Sequence, residues 1–324
     1  MVGKIVNWKK AAVGAGQVLV LFVLGYYLIY HNLVLNWHQL GELDWELRPL
    51  PFVLSMLGIS LIFLVNTQIW RMVVLAIGGV WIKPWRAAYV WFISNLGRYL
   101  PGKVWQIAGM AVMARGEGLG AMDAAASSVL NHVLVLLAGT VVGLALFPAE
   151  LAGSFEPLLK WTWLAVPVVL VFLHPGLLNK VLDLAARLSG KPPVSRKLKF
   201  RDLLVWFMLN VLVWLGYGLC FHWFILSVIP GAELCWSEST GIYAVGYIIG
   251  FLAVFAPGGI GIREVMFTVL LTTTLGGLAA TVVALVSRIW LTLAELIPVA
   301  VLLSAGGMPG GKNPEEDASS GSAE

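Results

Sequence analysis

Long apolar runs separated by short charged loops make up most of this chain. A helix that crosses a bilayer needs about 20 mostly apolar residues. Six runs approach or exceed that length, namely residues 11–30, 50–70, 124–147, 158–174, 203–229 and 278–305. The pattern predicts an all-α polytopic membrane protein with about six full spans.

Two further apolar stretches are interrupted before either part is long enough to cross. The first covers residues 85–115 and breaks at Pro101-Gly102, and the second covers residues 240–275 and breaks at Pro257. Because proline ends a helix and glycine lets the backbone turn, each stretch predicts a re-entrant helical hairpin. Two alternatives stay open: each pair could be two tilted complete spans, and the first could be an amphipathic helix on the membrane surface.

The two breaks also indicate an internal repeat, since Pro101 and Pro257 lie 156 residues apart. We expect a first repeat at residues 1–156, a second repeat at residues 157–305, and a disordered tail rich in Gly, Ser and acids at residues 306–324. Each repeat would cross three times, an odd number, so the second repeat is expected to be inverted. Such repeats place a transporter's binding site near the midplane, where their broken helices meet.

Loop charge orients the predicted spans. Three lysines precede the first run without an acid among them, whereas the following loop holds three acids and one arginine. Positive loops stay in the cytoplasm, so both termini are expected there. The hairpin 85–115 would enter from the cytoplasmic side and the hairpin 240–275 from the outer face. The basic segment 175–202 could hold a surface helix, Leu177 to Leu188, or be only a loop that sets topology.

Composition excludes a soluble globule, because 59% of the residues are hydrophobic, 12% are charged and the mean hydropathy is +0.87. The two cysteines suggest neither a disulfide framework nor a thiolate metal site. Nucleotide-binding and metalloprotease motifs are missing. We therefore expect no cofactor, no metal, no nucleic-acid partner and no soluble catalytic domain.

Cations beside the two helix breaks are the candidate binding groups. The amino terminus of a broken helix, with a guanidinium or ammonium beside it, suits a phosphate. The predicted substrate-binding residues are Arg98, Pro101, Gly102, Lys103, Pro257, Gly258, Gly259, Gly261, Arg263 and Glu264. As an alternative, Arg98 and Lys103 could snorkel to the interface and only anchor the first hairpin.

Polar residues in the third span of each repeat are candidates for gating or coupling. Arg288 and Glu295 lie two turns apart on one face of the last span. Asn131 and His132 stand at the equivalent place in the first repeat. An intramembrane Arg/Glu pair can be a gate, a proton relay or a mutual neutraliser, and His132 could instead be a hydrogen-bonded structural histidine.

Two motifs resemble those of a known family. The run Asn95 to Trp105 and the run Pro257 to Glu264 are similar to the lysylphosphatidylglycerol synthase transmembrane-region family. The resemblance covers about residues 10 to 305 and implies lipid translocation, with Arg98, Lys103, Arg263 and Glu264 at motif positions. The aminoacyl-transfer domain of full synthases has no counterpart in this sequence, so we expect that the chain does not make lysyl lipid by itself.

The resulting hypothesis is a non-enzymatic lipid flippase of the bacterial inner membrane. Its substrate would be an anionic phospholipid or a polyprenyl-phosphate-linked lipid, held by its phosphate head group. One alternative is a membrane enzyme that acts on lipid-linked phosphate or sugar. Another is a non-transporting partner of a lipid synthase or glycosyltransferase, and a homo-oligomer is compatible with each of them.

Overall fold

The computed structural model describes residues 46–100, 104–148, 151, 169, 171, 173–253 and 256–304. The predicted span 11–30, most of 158–174, and the tail from residue 305 onward lie outside the described residues. So do Pro101, Gly102 and Lys103 at the first break.

The described part of the chain is all-helical, without a strand. Its α-helices are α1 (Pro49–Gly78), α2 (Pro84–Asn95), α3 (Val104–Gly116), α4 (Ala121–Ala145), α5 (Pro175–Ser189), α6 (Phe200–Val228), α7 (Trp236–Leu252), α8 (Ile262–Leu275) and α9 (Gly277–Ser304). Two short 3-10 helices, Leu96–Tyr99 and Pro257–Gly259, stand at the two breaks.

Four helices are long and apolar enough to cross a membrane. They are α1, α4, α6 and α9, with 30, 25, 29 and 28 residues. At about 1.5 Å per residue each exceeds the roughly 30 Å of a bilayer's hydrocarbon core. They match four of the six predicted spans, those at 50–70, 124–147, 203–229 and 278–305.

The helices beside the two breaks are shorter. Helices α2 and α3 have 12 and 13 residues, and α7 and α8 have 17 and 14. By the same rise these helices extend roughly 18 to 26 Å, less than the hydrocarbon thickness. Each pair packs side by side, and their bounds agree with the stretches 85–115 and 240–275. Short packed pairs are the shape expected of helical hairpins, and their entry into the bilayer stays a prediction.

Aromatic side chains fill the centre of the bundle. Phe224 of α6 stacks on Trp290 of α9 with ring centroids 4.8 Å apart. The indole N–H of Trp290 donates to the hydroxyl of Ser55 in α1 at 3.1 Å. Phe221 lies 4.9 Å from Phe267 of α8. Large buried rings thus join α1, α6, α8 and α9 into one core.

The basic segment contains a helix where the sequence allowed one, and its place on the membrane surface stays a prediction. Helix α5 (Pro175–Ser189) begins where the His174 imidazole accepts a hydrogen bond from the backbone N–H of Leu177 at 3.2 Å. It ends at Gly190 in the left-handed conformation, with φ of 64°. Beyond it, Asp123 at the start of α4 accepts hydrogen bonds from the backbone and hydroxyl of Ser195, at 2.8 and 2.6 Å.

One order of elements occurs twice along the chain. A long helix, a short pair and a second long helix appear as α1, α2/α3 and α4, and again as α6, α7/α8 and α9. That order is the one expected of two repeats, and their inverted relation stays a prediction. The two 3-10 helices contact each other, so the breaks meet at one place in the molecule.

Candidate functional site

The two helix breaks meet beside α9, and a glycine turn makes their close approach possible. Gly258 has φ of 59°, a left-handed conformation that glycine adopts without strain. A Cβ atom there would lie 3.3 Å from the Tyr99 ring and 3.2 Å from the Arg288 guanidinium. The second break therefore lies directly against the first break and against a cation of α9.

Arg98, Tyr99 and Glu295 join the first break to α9, and we call these three residues the tip lock. The Nη1 atom of Arg98 donates to Oε1 of Glu295 at 2.6 Å, and the Tyr99 hydroxyl donates to Oε2 at 2.9 Å. The Arg98 and Glu295 side chains are 14% and 10% exposed. Arg98 is thus a buried, paired cation and not a solvent-facing one.

A second ion pair connects α8 to α9. Oε2 of Glu264 accepts a hydrogen bond from the backbone N–H of Gly261 at 2.6 Å, which caps the first turn of α8. Its Oε1 atom lies 3.8 Å from Nη1 of Arg288. The same Nη1 donates to the carbonyl oxygen of Gly258 at 3.3 Å. Both oxygens of Glu264 are therefore engaged.

This pairing differs from the one that sequence spacing suggested. Arg288 and Glu295 share a face of α9, yet each pairs with a residue of another element, Glu264 and Arg98 respectively. Arg263 adjoins Glu264 in sequence, but Glu264 faces Arg288. The reason is that consecutive residues of a helix point in different directions, whereas packed elements bring distant charges into contact.

Arg263 is buried without an anionic partner among the residues that the structure describes. It is only 6% exposed, and its guanidinium lies 4.6 Å from the centre of the Tyr247 ring in α7. Neither nearby carboxylate faces it, since Glu264 pairs with Arg288 and Glu295 with Arg98. Its Nε atom has no hydrogen-bond partner in the described part of the chain. Three arginines therefore share two carboxylates, which leaves one positive charge in excess.

A cavity of about 50 Å³ lies between the two halves of the described chain and is lined by both Arg98 and Arg263. Its lining residues are Phe63, Asn66, Trp91, Asn95, Arg98, Gln106, Asn131, His132, Val135, Trp214, Tyr217, Tyr243, Tyr247, Arg263, Leu291 and Glu295. A smaller cavity of about 20 Å³ shares Arg98, Gln106, Tyr247 and Arg263 with it and reaches Gly258 and Gly259. Together they form a space, lined by charged, amide and aromatic side chains, that leads from the breaks into the bundle.

Several polar side chains of the cavity are already hydrogen-bonded to one another. The Asn66 amide nitrogen donates to the Tyr217 hydroxyl at 2.5 Å. The Gln106 side chain donates to the amide oxygen of Asn95. Nδ1 of His132 lies 2.8 Å from the carbonyl oxygen of Ser128, one turn earlier in α4. These contacts hold the walls of the cavity in place.

The structure brings most of the predicted residues to this region. Those that line the main cavity are Arg98, Asn131, His132, Arg263 and Glu295. Those beside the smaller cavity or next to it are Gly258, Gly259, Gly261, Glu264 and Arg288. The backbone of Pro257 begins the second 3-10 helix. Pro101, Gly102 and Lys103 lie outside the described residues, so their predicted role stays a prediction.

Sequence reasoning missed the polar and aromatic partners of the arginines. Tyr99 and Asn95 lie inside the first motif, where their position beside Arg98 could have marked them. Tyr247 and Tyr217 carry no local signal, because tyrosines are common in apolar helices. Their role follows only from their contacts with Arg263 and Asn66.

The arrangement suits an anion better than a metal. Within the described ranges, no three His, Cys, Asp or Glu side chains converge as metal ligands. A buried guanidinium offers planar donors that match phosphate or carboxylate oxygens. The excess positive charge at Arg263 is therefore the chemically distinctive feature of the cavity.

Comparison with known proteins places this membrane chain in a family. No curated protein matched it. A family model described as the lysylphosphatidylglycerol synthase TM region matches residues 13–298, which is most of the 324-residue sequence. That range includes both helix breaks and all the residues that line the cavity. With this match the motif resemblance is confirmed, and the chain belongs to the lysylphosphatidylglycerol synthase TM region family.

Proposed function

We propose that this membrane protein moves a lipid with a phosphate head group between the two leaflets of a bacterial inner membrane, with both termini in the cytoplasm. The observation that carries the proposal is the buried Arg263, which lines the cavity and whose charge has no anionic partner within the described ranges. A positive charge inside a membrane protein costs several kcal/mol unless a partner or ligand compensates it. A lipid phosphate would be that partner.

The neighbouring arginine supports binding of a phosphate rather than of any small anion. Arg98 and Arg263 line both the main and the smaller cavity. Two guanidinium groups around one space can share the oxygens of a phosphate, each through charge-assisted hydrogen bonds. The aromatic and aliphatic part of the lining suits the less polar portion of a lipid head group.

Glu295 is the carboxylate that neutralises Arg98 within the site. It holds Arg98 at 2.6 Å and also accepts from Tyr99. An arriving phosphate would compete with this carboxylate for Arg98, release the tip lock and free the first break from α9. Binding and movement would then be coupled through one exchange of anions.

The movement itself would follow from the repeated architecture. Two short helix pairs would enter the membrane as re-entrant hairpins from opposite sides, with their breaks in contact at the site. Motion of one inverted repeat against the other would expose the cavity to each leaflet in turn, while the lipid chains stay in the bilayer. Equilibration of a lipid needs no further energy source.

The state of Glu264 favours transport over catalysis. An enzyme acting on a lipid phosphate needs a base or nucleophile beside it. Glu264 lies beside the second break, yet one of its oxygens caps α8 and the other faces Arg288. A carboxylate engaged in this way is poorly suited to accept a proton from a substrate.

The proposal is tested by lipid movement in reconstituted vesicles. The full chain is placed in phosphatidylcholine vesicles that contain acyl-labelled fluorescent phosphatidylglycerol, and dithionite reports the label that reaches the outer leaflet. We expect Arg263→Ala to slow exchange about 10- to 100-fold, the loss typical of charged hydrogen bonds. Arg263→Lys keeps the positive charge but loses the planar set of guanidinium donors, so its rate of lipid exchange should lie between those of the original chain and Arg263→Ala.

A matched control is Arg201→Ala, which removes the same side chain from the exposed start of α6. It should leave exchange unchanged. If Arg263→Ala moves lipid as fast as the original chain while running as the same species on size exclusion, the proposal is wrong. Product formation without exchange would favour an enzyme, and an inert protein that co-purifies with a synthase would favour a non-transporting partner.

A further inference from the structure

We propose that a groove between α4 and α5 binds one acyl chain of an anionic phospholipid from the cytoplasmic leaflet. We call it the α4–α5 groove, and its lining residues are Ala126, Val129, Leu130, Val133, Leu178, Val181, Leu182 and Leu198. The bound lipid would stay with the protein and is not the lipid that is moved. The inference therefore goes beyond the proposed function and does not depend on it.

The α4–α5 groove is separate from the main cavity. The two spaces share no lining residue, although α4 contributes to both. Asn131, His132 and Val135 face the cavity, whereas Leu130 and Val133 face the groove. At 3.6 residues per turn these two sets lie on roughly opposite sides of the helix. Helix α4 is thus the wall between the two spaces.

Hydrogen bonds hold the walls of the α4–α5 groove in place. The side-chain amide of Asn179 in α5 accepts from the backbone N–H of Leu198 at 3.0 Å and donates to the carbonyl oxygen of Leu198 at 3.2 Å. Just before this point, Ser195 is bonded to Asp123 at the start of α4. The segment that follows α5 is therefore tied to both helices, and the groove has three fixed walls.

The α4–α5 groove has the size and the lining of an acyl-chain site. Its volume is about 170 Å³, compared with about 50 Å³ for the main cavity, and its lining side chains are all aliphatic. A cavity of about 150 Å³ with such a lining is large enough for benzene, so roughly six carbons of a chain fit. Val129 and Val181 are 49% and 52% exposed, which leaves the groove open on that side.

The outer face of α5 indicates that this opening lies at a bilayer. Leu177, Val181, Leu184 and Leu188 recur at helical spacing and are between 43% and 81% exposed. The surrounding segment 175–202 holds seven lysines and arginines but only two aspartates. An apolar stripe with basic charge beside it is typical of a helix at the surface of an anionic membrane. Because basic segments stay in the cytoplasm, the groove would open to the cytoplasmic leaflet.

Charge decides which lipid would occupy the groove. All lipid chains are similarly apolar, so burial of a chain does not discriminate between head groups. Lys180 and Lys199 each adjoin a lining residue in sequence, both are exposed, and neither belongs to an ion pair in the described part of the chain. Lys197, by contrast, is held by Asp183 at 2.5 and 2.7 Å. A basic residue near the surface favours an anionic lipid about fivefold, so two favour it by up to about 25-fold.

The test is photo-cross-linking with lipids that carry a diazirine in one acyl chain. The full chain is placed in phosphatidylcholine vesicles with a small fraction of labelled phosphatidylglycerol or, in a matched sample, labelled phosphatidylcholine. Mass spectrometry then maps the adducts to residues. We expect phosphatidylglycerol to give about 5 to 25 times more adducts than phosphatidylcholine at residues 126–133 and 178–182. On the exposed face of α9 that includes Ile289 and Leu293, the ratio should be near one.

A pair of lysine variants connects this ratio to the charge beside the groove. Lys199→Gln and Lys83→Gln each remove an exposed lysine that immediately precedes a helix, α6 or α2, and makes no capping hydrogen bond through its side chain. Lys199→Gln should lower the phosphatidylglycerol to phosphatidylcholine ratio in the groove about fivefold. Lys83→Gln should leave it unchanged.

A second pair of variants tests the groove itself. Val129→Phe places a ring in the α4–α5 groove and should abolish the selective labelling there. Val269→Phe makes the same change at a residue of α8 that is 45% exposed and does not line the groove, so it should have no effect. Size exclusion of both variants checks that they run as the same species as the original chain.

Each outcome decides the proposal. A ratio near one in the groove overturns it, and so does a raised ratio that both Lys199→Gln and Lys180→Gln leave unchanged. Absence of groove adducts while the α9 face is labelled also overturns it, because lipid then does not reach the groove. Arg263→Ala should leave the groove labelling unchanged. Loss of lipid exchange with intact groove labelling would therefore reject the proposed function alone.

Discussion

Replacing Glu295 by glutamine tests the tip lock on which the described geometry depends. Glutamine keeps the shape of the side chain and still offers an oxygen acceptor, but it removes the negative charge that faces Arg98. In the structure that charge lies 2.6 Å from Nη1 of Arg98 and 2.9 Å from the hydroxyl of Tyr99. The substitution therefore leaves a buried arginine without its counter-ion.

The size of the effect follows from burial. The Arg98 and Glu295 side chains are 14% and 10% exposed, so solvent screens the pair only slightly. Removing one partner of such a buried pair lowers the free energy of unfolding by about 3 to 5 kcal/mol. Because the glutamine amide still offers an oxygen acceptor to Arg98, we expect a value of about 3 kcal/mol. About 3 kcal/mol corresponds to a fall in Tm of roughly 4 to 5 °C for a chain of 324 residues.

The assay is thermal unfolding of the detergent-solubilised chain, followed by the fluorescence of its 15 tryptophans. The matched control is Glu117→Gln, which removes the charge from the Arg86–Glu117 pair at 3.5 Å, where the side chains are 38% and 19% exposed. A pair with an exposed partner contributes about 1 kcal/mol or less, so Tm should fall by no more than about 2 °C.

Short-chain phosphatidylglycerol provides a second readout. In Glu295→Gln the guanidinium of Arg98 is available to an added phosphate, so this lipid should raise Tm more in the variant than in the original chain. The reasoning is refuted if Glu295→Gln and Glu117→Gln lower Tm equally. It is also refuted if the lipid raises Tm in both proteins by the same amount.

Two structural predictions test the packing around the site. A Cβ at Gly218 would lie 2.5 Å from Cα of Thr240. Gly218→Ala should therefore destabilise the α6–α7 contact by about 1 to 3 kcal/mol, measured by thermal unfolding. The control is Gly116→Ala, where nothing lies within 4 Å of the added Cβ, and its stability should be nearly unchanged. Asp123→Ala removes both hydrogen bonds to Ser195 and should make the segment after α5 more sensitive to limited proteolysis; an unchanged digestion pattern would contradict the anchoring role.

Apolar run length was a reliable guide to the helices that the structure describes. Four predicted spans appear as α1, α4, α6 and α9, and the two interrupted stretches appear as packed pairs of short helices. These features depend on local properties of the sequence. An apolar run forms all its backbone hydrogen bonds internally when it is helical, and a proline or glycine interrupts that helix. The spans at 11–30 and 158–174 and the inverted relation of the repeats stay predictions.

Candidate residues were easier to find than their partners. A cation inside an apolar run is conspicuous in any sequence, which is why Arg98, Arg263 and Arg288 could be selected without a structure. Pairing within one helix was the natural expectation for Arg288 and Glu295, and it was wrong. The charges pair between elements and not within one helix, because α9 packs beside the place where the two breaks meet.

The residue pattern alone thus determines that this chain is a helical membrane protein with two breaks and buried cations. The tertiary structure decides that Glu295 pairs with Arg98, 197 residues away, and that Tyr247 lies under Arg263. It also decides that one guanidinium has no anionic partner in the part of the chain that the structure describes. Helix formation depends on neighbours within about four residues, whereas charge pairing depends on how packed helices orient their faces. The unpaired arginine, and with it the phosphate proposal, therefore emerges only from the packing.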